Sequence, residues 1–247
     1  MTAKEVKLQQ PPLNDGETQE LKLSRKPRLA VFGGTFDPVH NGHLLIAGDL
    51  LRRELVDEVL FVPARVAPHK LAAAVSAPEH RLAMLALALA AVPAFSISDI
   101  EIRRREQSSY TIDTLDLLKA AYPGHELFFV MGMDSLNELH LWHRSAELIS
   151  RYRFMIFPRP AVEPPPYAAL AGHFGARNAR KLFDAVLEMH GVDISATVIR
   201  QTQARGQTLA GLVPAAVRDY ILEHELYQNV EDSERTECRN PHHLPNP

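Results

Sequence analysis

Short apolar runs alternate along this chain with segments of helical spacing. Runs rich in Val, Leu, Ile and Phe predict β-strands, and the amphipathic segments between them predict helices. Because strands and helices alternate, we expect an α/β fold: a doubly wound, mostly parallel sheet with helices on both faces. The predicted strands are Leu29–Phe32, Glu58–Pro63, Phe95–Ser98, Glu126–Met131 and Arg153–Phe157. The predicted helices are Leu44–Glu54, Glu79–Val92, Thr111–Tyr122, Ala146–Ser150 and one from Pro214 to about Glu225.

The two ends of the chain differ in composition from its middle. Residues 1–26 and 229–247 carry Pro, Asn and charged residues but little apolar content, which predicts two flexible tails. The segment between them, 27–228, is long enough to bury a good core and is predicted to form one domain. The Pro-rich stretch 158–166 is interpreted as a surface connection inside that domain.

Composition narrows the class of protein. The net charge of −3 excludes a broadly basic surface, so we expect no nucleic-acid partner. The single cysteine, Cys238, argues against a disulfide framework and is compatible with a reducing cytoplasm. Residues 1–26 lack the apolar core of a secretory signal. The longest apolar stretch, Leu82–Val92, is too short to span a bilayer and is predicted to be a buried helix. We therefore expect a cytoplasmic protein without a membrane partner.

The run from Gly33 to His43 (GGTFDPVHNGH) carries the most information about chemistry. It follows a predicted strand and leads into a predicted helix, so its backbone N–H groups can converge on an anion such as phosphate. If the helix begins near Pro38, His40 and His43 project from one face close to its positive end. The alternative interpretation is an ordinary turn, since no Lys follows as in the common phosphate-binding loop.

A histidine pair at this spacing can also bind a metal. Zinc, however, requires a third and usually a fourth ligand. The sequence offers none near His40 and His43, and Cys238 lies in a predicted tail. We therefore predict no protein-held metal site here.

A second candidate segment lies nearer the C-terminus, at Ile194-Ser195-Ala196-Thr197-Val198-Ile199-Arg200. Ser195 is a good N-cap, and Arg200 would lie one turn on, within reach of a phosphate at the helix N-terminus. Taken alone, the segment is more typical of an ordinary capped helix start than of a phosphate site.

Together these two segments resemble the hallmarks of the nucleotidyltransferase superfamily, whose fold is Rossmann-like. The first hallmark, GxFDPxHxGH, is complete from Gly34 to His43. The second, Ile-Ser-Ser-Thr-x-x-Arg, departs at Ala196, which replaces a serine. If that serine acts through its hydroxyl, ATP binding here is weaker; if it acts through its backbone, nothing is lost. The resemblance implies catalytic roles for His40, His43 and Arg200, and ATP contacts for Gly33, Gly34, Thr35, Phe36, Ser195 and Thr197.

Three runs in the middle of the chain resemble the nicotinate-nucleotide adenylyltransferase family. They are Ala67–Lys70, Ser109–Leu115 and Met131–Leu136, the last followed by Trp142. Without the resemblance, they would be interpreted as a solvated loop, a helix cap and a strand end, with Trp142 as core and Arg103–Arg105 as a solvated face. The resemblance implies ribose contacts for Gly132 and Asp134, and nicotinate mononucleotide contacts for Lys70, Tyr110, Thr111 and Trp142.

The implied reaction is transfer of the adenylyl group of ATP to nicotinate mononucleotide in NAD biosynthesis. It forms nicotinate adenine dinucleotide and pyrophosphate, with Mg²⁺ carried mainly by the ATP phosphates and water. Two alternatives stay open at this stage. One is an adenylyltransferase or cytidylyltransferase for another acceptor, such as nicotinamide mononucleotide or phosphopantetheine. The other is a non-catalytic nucleotide sensor.

Overall fold

Five parallel strands form the centre of the fold in a computed structural model, which describes residues 25–65, 75–104, 109–160, 162–188 and 193–228. Their order across the sheet is β3-β2-β1-β4-β5, and every neighbouring pair is parallel. This confirms the predicted α/β, Rossmann-like sheet. The strands are β1 (Arg28–Gly34), β2 (Glu58–Pro63), β3 (Phe95–Ile97), β4 (Glu126–Gly132) and β5 (Arg153–Phe157).

Helices follow the strands and complete the alternation. A 3₁₀ turn, Leu139–Leu141, lies between two of them, Met133–Glu138 and Ser145–Arg151. In chain order the α-helices of the described residues are α1 (Asn41–Arg52), α2 (Pro78–Leu89), α3 (Ile100–Arg103), α4 (Thr111–Ala121), α5 (Met133–Glu138), α6 (Ser145–Arg151), α7 (Tyr167–Asp184), α8 (Ala196–Ala204) and α9 (Ala215–Glu223).

The apolar side chains of the strands divide between two core layers, one on each face of the sheet. In β1, Leu29 and Val31 pack into one layer, with α4 and α6, and Ala30 and Phe32 pack into the other, with α1 and α2. This division follows from the two-residue period of a strand. Strands buried on both faces are continuous in their apolar character, which is why the short apolar runs identified them.

Some helices differ from the predictions. The apolar pattern did not lead to a prediction of α7, a helix interrupted at Gly175, which departs from helical geometry at φ 78°. It also missed the short helices α3 and α5. The prediction of a buried helix over Leu82–Val92 was wrong in part: α2 ends at Leu89 and buries only one face, since Leu87 is 42% exposed.

The strand order reverses its direction between β1 and β4, which lie side by side at the centre. In open parallel sheets, ligands bind in the crevice beyond the carboxyl ends of the strands at such a reversal. The loop after β1 and the start of α5 after β4 both lie at this edge. None of the helices in the described residues is long and apolar enough to cross a membrane.

Candidate active site

A cleft of about 710 Å³ opens beyond the carboxyl ends of β1 and β4. It brings together segments as far apart in the chain as Val31 and Arg200, because the central strands end and α8 begins at the same edge. All of the predicted site residues line it except Lys70, which lies outside the described residues. The predicted residues in the lining are Gly33, Gly34, Thr35, Phe36, His40, His43, Tyr110, Thr111, Gly132, Asp134, Trp142, Ser195, Thr197 and Arg200.

The loop after β1 is a tight turn. Phe36 has a φ of 49°, an uncommon left-handed conformation for a residue with a bulky side chain. Its ring lies so close to Gly34 that a Cβ there would come within 3.1 Å of it. The helix begins at Asn41 and not near Pro38, so His40 is the N-cap residue. The expectation that both histidines lie within the helix on one face is corrected: His40 is the cap residue, and His43 is the third residue of the helix.

The two imidazole rings nevertheless lie against each other. The centroids of His40 and His43 are 3.6 Å apart and the ring planes differ by 22°. The main-chain N–H of His40 donates to Nδ1 of His43 at 3.2 Å. Since Nδ1 accepts, the proton of a neutral His43 ring is on Nε2. Nε2 is therefore the atom of this ring that can donate to a bound anion.

Both rings are neutral in this environment. His40 is 4% exposed, and burial followed by the charge of Arg159 lowers its pKa from 6.5 to about 4. Burial lowers the pKa of His43 well below 6.5, and His40 and Arg159 lower it further. The rings of Phe32 and Phe36 contact His43 edge-on, with centroids 5.8 and 4.9 Å away. Two neutral N–H donors thus stand at the N-terminus of α1.

The second segment brings a cation to the same end of the cleft. The Oγ of Ser195 accepts a hydrogen bond from the N–H of Val198 at 3.2 Å, which confirms the predicted N-cap. Arg200 lies one turn on and donates from Nη1 to the main-chain oxygen of Asp37 at 2.8 Å. Its Nη2 is 3.4 Å from the hydroxyl of Thr197. The helix therefore holds a guanidinium beside the loop that carries the histidine pair.

The end of β4 forms the wall next to this cation. Gly132 is the N-cap of α5, and a Cβ there would clash with the Asp134 carboxylate. Asp134 is exposed and forms an ion pair with Arg159, whose Nε is 3.3 Å from Oδ1. The sequence analysis did not identify Arg159. Its position just after β5, the strand next to β4, was the available signal.

Aromatic groups line the cleft on the side of the other core layer, which contains α4. Tyr110, the N-cap of α4, stacks on His143 with ring centroids 4.1 Å apart, and Thr111 is the first residue of that helix. Trp142 is half-buried and meets Phe129 edge-on at 6.1 Å. Trp142 therefore packs against the core and also lines the cleft, and its contact with a substrate ring stays a prediction.

Glu101 is a further lining residue that the sequence analysis missed. The Thr114 hydroxyl donates to its carboxylate at 2.8 Å. Burial raises the pKa of the Glu101 carboxyl, opposed by the hydrogen bond from Thr114 and the charge of Arg104. Arg103, from the run expected to form a solvated face, is exposed and pairs with Asp99 at 2.6 Å outside the cleft, and Arg105 lies outside the described residues.

The cleft does not present a metal-binding set of its own. Among the described residues, no group of three or more His, Cys, Asp and Glu side chains is arranged to hold an ion. In the histidine pair, Nδ1 of His43 already accepts the main-chain N–H of His40, so this atom is not available to a metal. The described residues of the cleft therefore do not fit a protein-held metal.

Comparison with known proteins places the chain in a family. The cytidylyltransferase-like family model matches residues 31–202. The "Probable nicotinate-nucleotide adenylyltransferase" of Thermomicrobium roseum is 40% identical over 205 residues, covering 83% of this chain and 93% of the relative. The protein of the same name from Symbiobacterium thermophilum is 40% identical over 81% of this chain and 95% of its own length.

Solved structures show the same fold. The nicotinic acid mononucleotide adenylyltransferase of Plasmodium falciparum, solved in complex with NaAD, superimposes with a TM-score of 0.66. At 17% identity it covers 82% of this chain and 98% of its own. The matches in sequence extend over both segments that build the cleft. The chain therefore belongs to the nicotinate-nucleotide adenylyltransferase family of cytidylyltransferase-like nucleotidyltransferases.

Proposed function

We propose that this protein transfers the adenylyl group of Mg-ATP to nicotinate mononucleotide, forming nicotinate adenine dinucleotide and pyrophosphate for NAD biosynthesis. The observation that carries the proposal is one cleft lined by two chemically different sets of residues, one beside each core layer of the sheet. At one end are the histidine pair and Arg200, which suit a triphosphate. At the other are Tyr110 and Trp142, which suit a flat heterocycle.

The polar end supports binding of the triphosphate. The N-termini of α1 and α8 both border the cleft and favour a negative charge. Nε2–H of His43 would donate to a phosphate oxygen, and Arg200 would add a charge-assisted contact. His40 supplies a second imidazole directly against the first. We assign these three residues to stabilising the charge that develops on the phosphates in the transition state.

The middle of the cleft supports binding of adenosine. A carboxylate accepts hydrogen bonds from two neighbouring ribose hydroxyls, and Asp134 lies in the lining to do so, with Gly132 leaving room beside it. We assign further ATP contacts to the backbone and side chains of the β1 loop and of the start of α8. These residues are Gly33, Gly34, Thr35, Phe36, Ser195 and Thr197.

The aromatic end supports binding of nicotinate mononucleotide. The indole of Trp142 offers a face for an electron-poor pyridine ring, and the N-terminus of α4 at Thr111 offers main-chain donors for its carboxylate. Tyr110 completes this wall through its stack on His143. Lys70 keeps the role that the family resemblance implies for it.

The chemistry is direct displacement at phosphorus. An oxygen of the 5′-phosphate of nicotinate mononucleotide attacks the α-phosphorus of ATP, and the bond between the α-phosphorus and the bridging oxygen to the β-phosphate breaks. Pyrophosphate leaves with that oxygen and its electron pair. The attacking phosphate is already anionic, so no protein nucleophile or general base is needed. Catalysis then rests on positioning and on neutralising charge.

The remaining partners follow from this chemistry. Mg²⁺ is proposed as part of the Mg-ATP substrate, since the described residues offer no metal set of their own. The substrates are small molecules, and the net charge of −3 argues against nucleic acid. The single cysteine favours a cytoplasmic location.

The test is a side-by-side assay of the purified protein with Mg-ATP and each mononucleotide, following pyrophosphate release and dinucleotide formation. We expect a strong preference for nicotinate over nicotinamide mononucleotide. Equal use of both would make it a dual-specificity enzyme. Product with neither, but with phosphopantetheine, would replace the proposal by another adenylyl transfer. ATP binding without any pyrophosphate release would identify a sensor.

A further inference from the structure

Tyr227 contacts the β1 loop although it does not line the cleft. Its hydroxyl donates to Oδ1 of Asp37 at 2.6 Å, across 190 positions of sequence. Asp37 is 3% exposed, so this is a buried hydrogen bond to a carboxylate. Burial and the neighbouring carboxylate raise the pKa of Tyr227, which keeps the hydroxyl protonated and available as the donor.

Asp37 makes two further hydrogen bonds, and one of them connects it to a residue that lines the cleft. Its Oδ2 accepts from the main-chain N–H of Ser76 at 3.2 Å. Its main-chain oxygen accepts from Nη1 of Arg200 at 2.8 Å. The side chain and the carbonyl belong to one residue, so a shift of the carboxylate moves the carbonyl that orients the guanidinium.

The buried guanidinium of Arg81 also holds the β1 loop in place. This side chain is 1% exposed and donates to the main-chain oxygens of Thr35 and Ala64 at 2.8 and 2.7 Å. Arg81 thus fixes the beginning of the loop, two residues before Asp37. At Asp37 itself, the side-chain contacts come from Tyr227 and from Ser76, of which Tyr227 supplies the shorter one.

We propose that Tyr227 is a positioning residue for the triphosphate end of the cleft: its hydroxyl holds Asp37, and Asp37 in turn holds Arg200. The inference rests on the proposed function, in which Arg200 contacts the ATP phosphates. It assigns the C-terminal end of the described chain to substrate binding. Because the nicotinate end is lined by residues of α4 and the segment after α5, Tyr227 should affect only one of the two substrates.

The experiment compares Tyr227→Phe with Tyr220→Phe as a matched control. Both substitutions remove one hydroxyl, but that of Tyr220 contacts Nδ1 of His80 at 2.9 Å and neither residue lines the cleft. We expect Tyr227→Phe to raise the KM for Mg-ATP by about fivefold to tenfold, the effect of losing one typical hydrogen bond. The KM for nicotinate mononucleotide should stay within about twofold, and Tyr220→Phe should change neither.

Three results would overturn the inference. They are an unchanged KM for Mg-ATP in Tyr227→Phe, an equal rise in both KM values, and the same rise in Tyr220→Phe. Should Tyr227→Phe fail to fold, Asp37→Asn replaces it, because an amide oxygen accepts more weakly than a carboxylate. A smaller rise in the KM for Mg-ATP alone is then expected, and no rise would again overturn the inference.

A binding measurement separates this inference from the proposed function. Titration calorimetry with a non-hydrolysable ATP analogue needs no acceptor substrate. If the wild-type protein binds the analogue but adenylylates no nicotinate mononucleotide, the proposed function fails. Weaker binding of the analogue by Tyr227→Phe than by Tyr220→Phe would still support the positioning of Arg200, and equal binding would refute it.

Discussion

Nδ1 of His43 accepts the main-chain N–H of His40 at 3.2 Å, and the two rings stack with centroids 3.6 Å apart. One nitrogen of His43 is therefore used to begin a helix, and the other is left for the cleft. The cap and the substrate contact are made by opposite sides of the same ring. The two roles can be separated by mutation.

Replacing His43 by Ala should lower kcat by roughly a hundredfold or more, as expected for the loss of one electrostatic donor to a transition state. His43→Asn is the matched variant, because its Oδ1 can take the place of Nδ1 at the cap while Nε2–H is lost. We expect both variants to be equally slow in steady-state assays, and the Asn variant to be the more stable to heat. Near-normal turnover in either variant would mean that His43 does not stabilise the transition state.

The lowered pKa of His40 makes the protein less stable in acid. Its pKa is about 4 in the folded chain and 6.5 when the ring is exposed, so between these values the unfolded chain binds more protons. The stability that this difference provides is complete above pH 6.5 and is lost as the pH falls toward 4. For His40 the loss between pH 7.5 and pH 5 is about 2 kcal/mol.

Urea unfolding of the wild type and of His40→Gln at these two pH values checks this. The glutamine cannot titrate. Between pH 7.5 and pH 5, the free energy of unfolding should therefore fall by about 2 kcal/mol less in the variant than in the wild type. Equal losses in the two proteins would mean that His40 keeps an ordinary pKa.

Arg159 lies beside Asp134 and lowers the pKa of both histidines, which indicates a cation close to the triphosphate end. We expect Arg159→Gln to lower kcat/KM for Mg-ATP by about tenfold. Arg153→Gln is the control: Arg153 begins β5, the strand that ends two residues before Arg159, lies over the Phe128 ring at 5.7 Å, and pairs with Glu126 outside the cleft. A similar loss in both variants would attribute the effect to the strand and not to the cleft.

Trp142 should determine affinity for the acceptor substrate. We expect Trp142→Ala to raise the KM for nicotinate mononucleotide by about tenfold or more through loss of the ring contact, and Trp142→Phe to raise it less. The KM for Mg-ATP should remain unchanged in both. Because Trp142 also packs on Phe129, thermal unfolding of each variant should be measured first. A rise in both KM values would indicate that the core contact dominates.

The parts of the site that the sequence predicted are those with local patterns. The turn from Gly33 to His43 and the capped start at Ser195 are contiguous, so residue type and spacing identify them. Arg159 and Tyr227 have no such pattern. Their partners, Asp134 and Asp37, are 25 and 190 positions away, and only the strand order and the end of the chain bring them together. The helix start at Asn41 was also missed, since a histidine is an uncommon cap.

The departure at Ala196 can be tested by restoring the serine. Ala196 is the first residue of α8 and lines the cleft, while Ser195 already caps the helix through its own hydroxyl. A hydroxyl at 196 is thus not needed for the cap and would face the phosphates as an additional donor. We expect Ala196→Ser to lower the KM for Mg-ATP by about threefold, with kcat unchanged, in line with one neutral hydrogen bond. An unchanged KM would mean that this position acts through its main-chain N–H, which alanine also supplies.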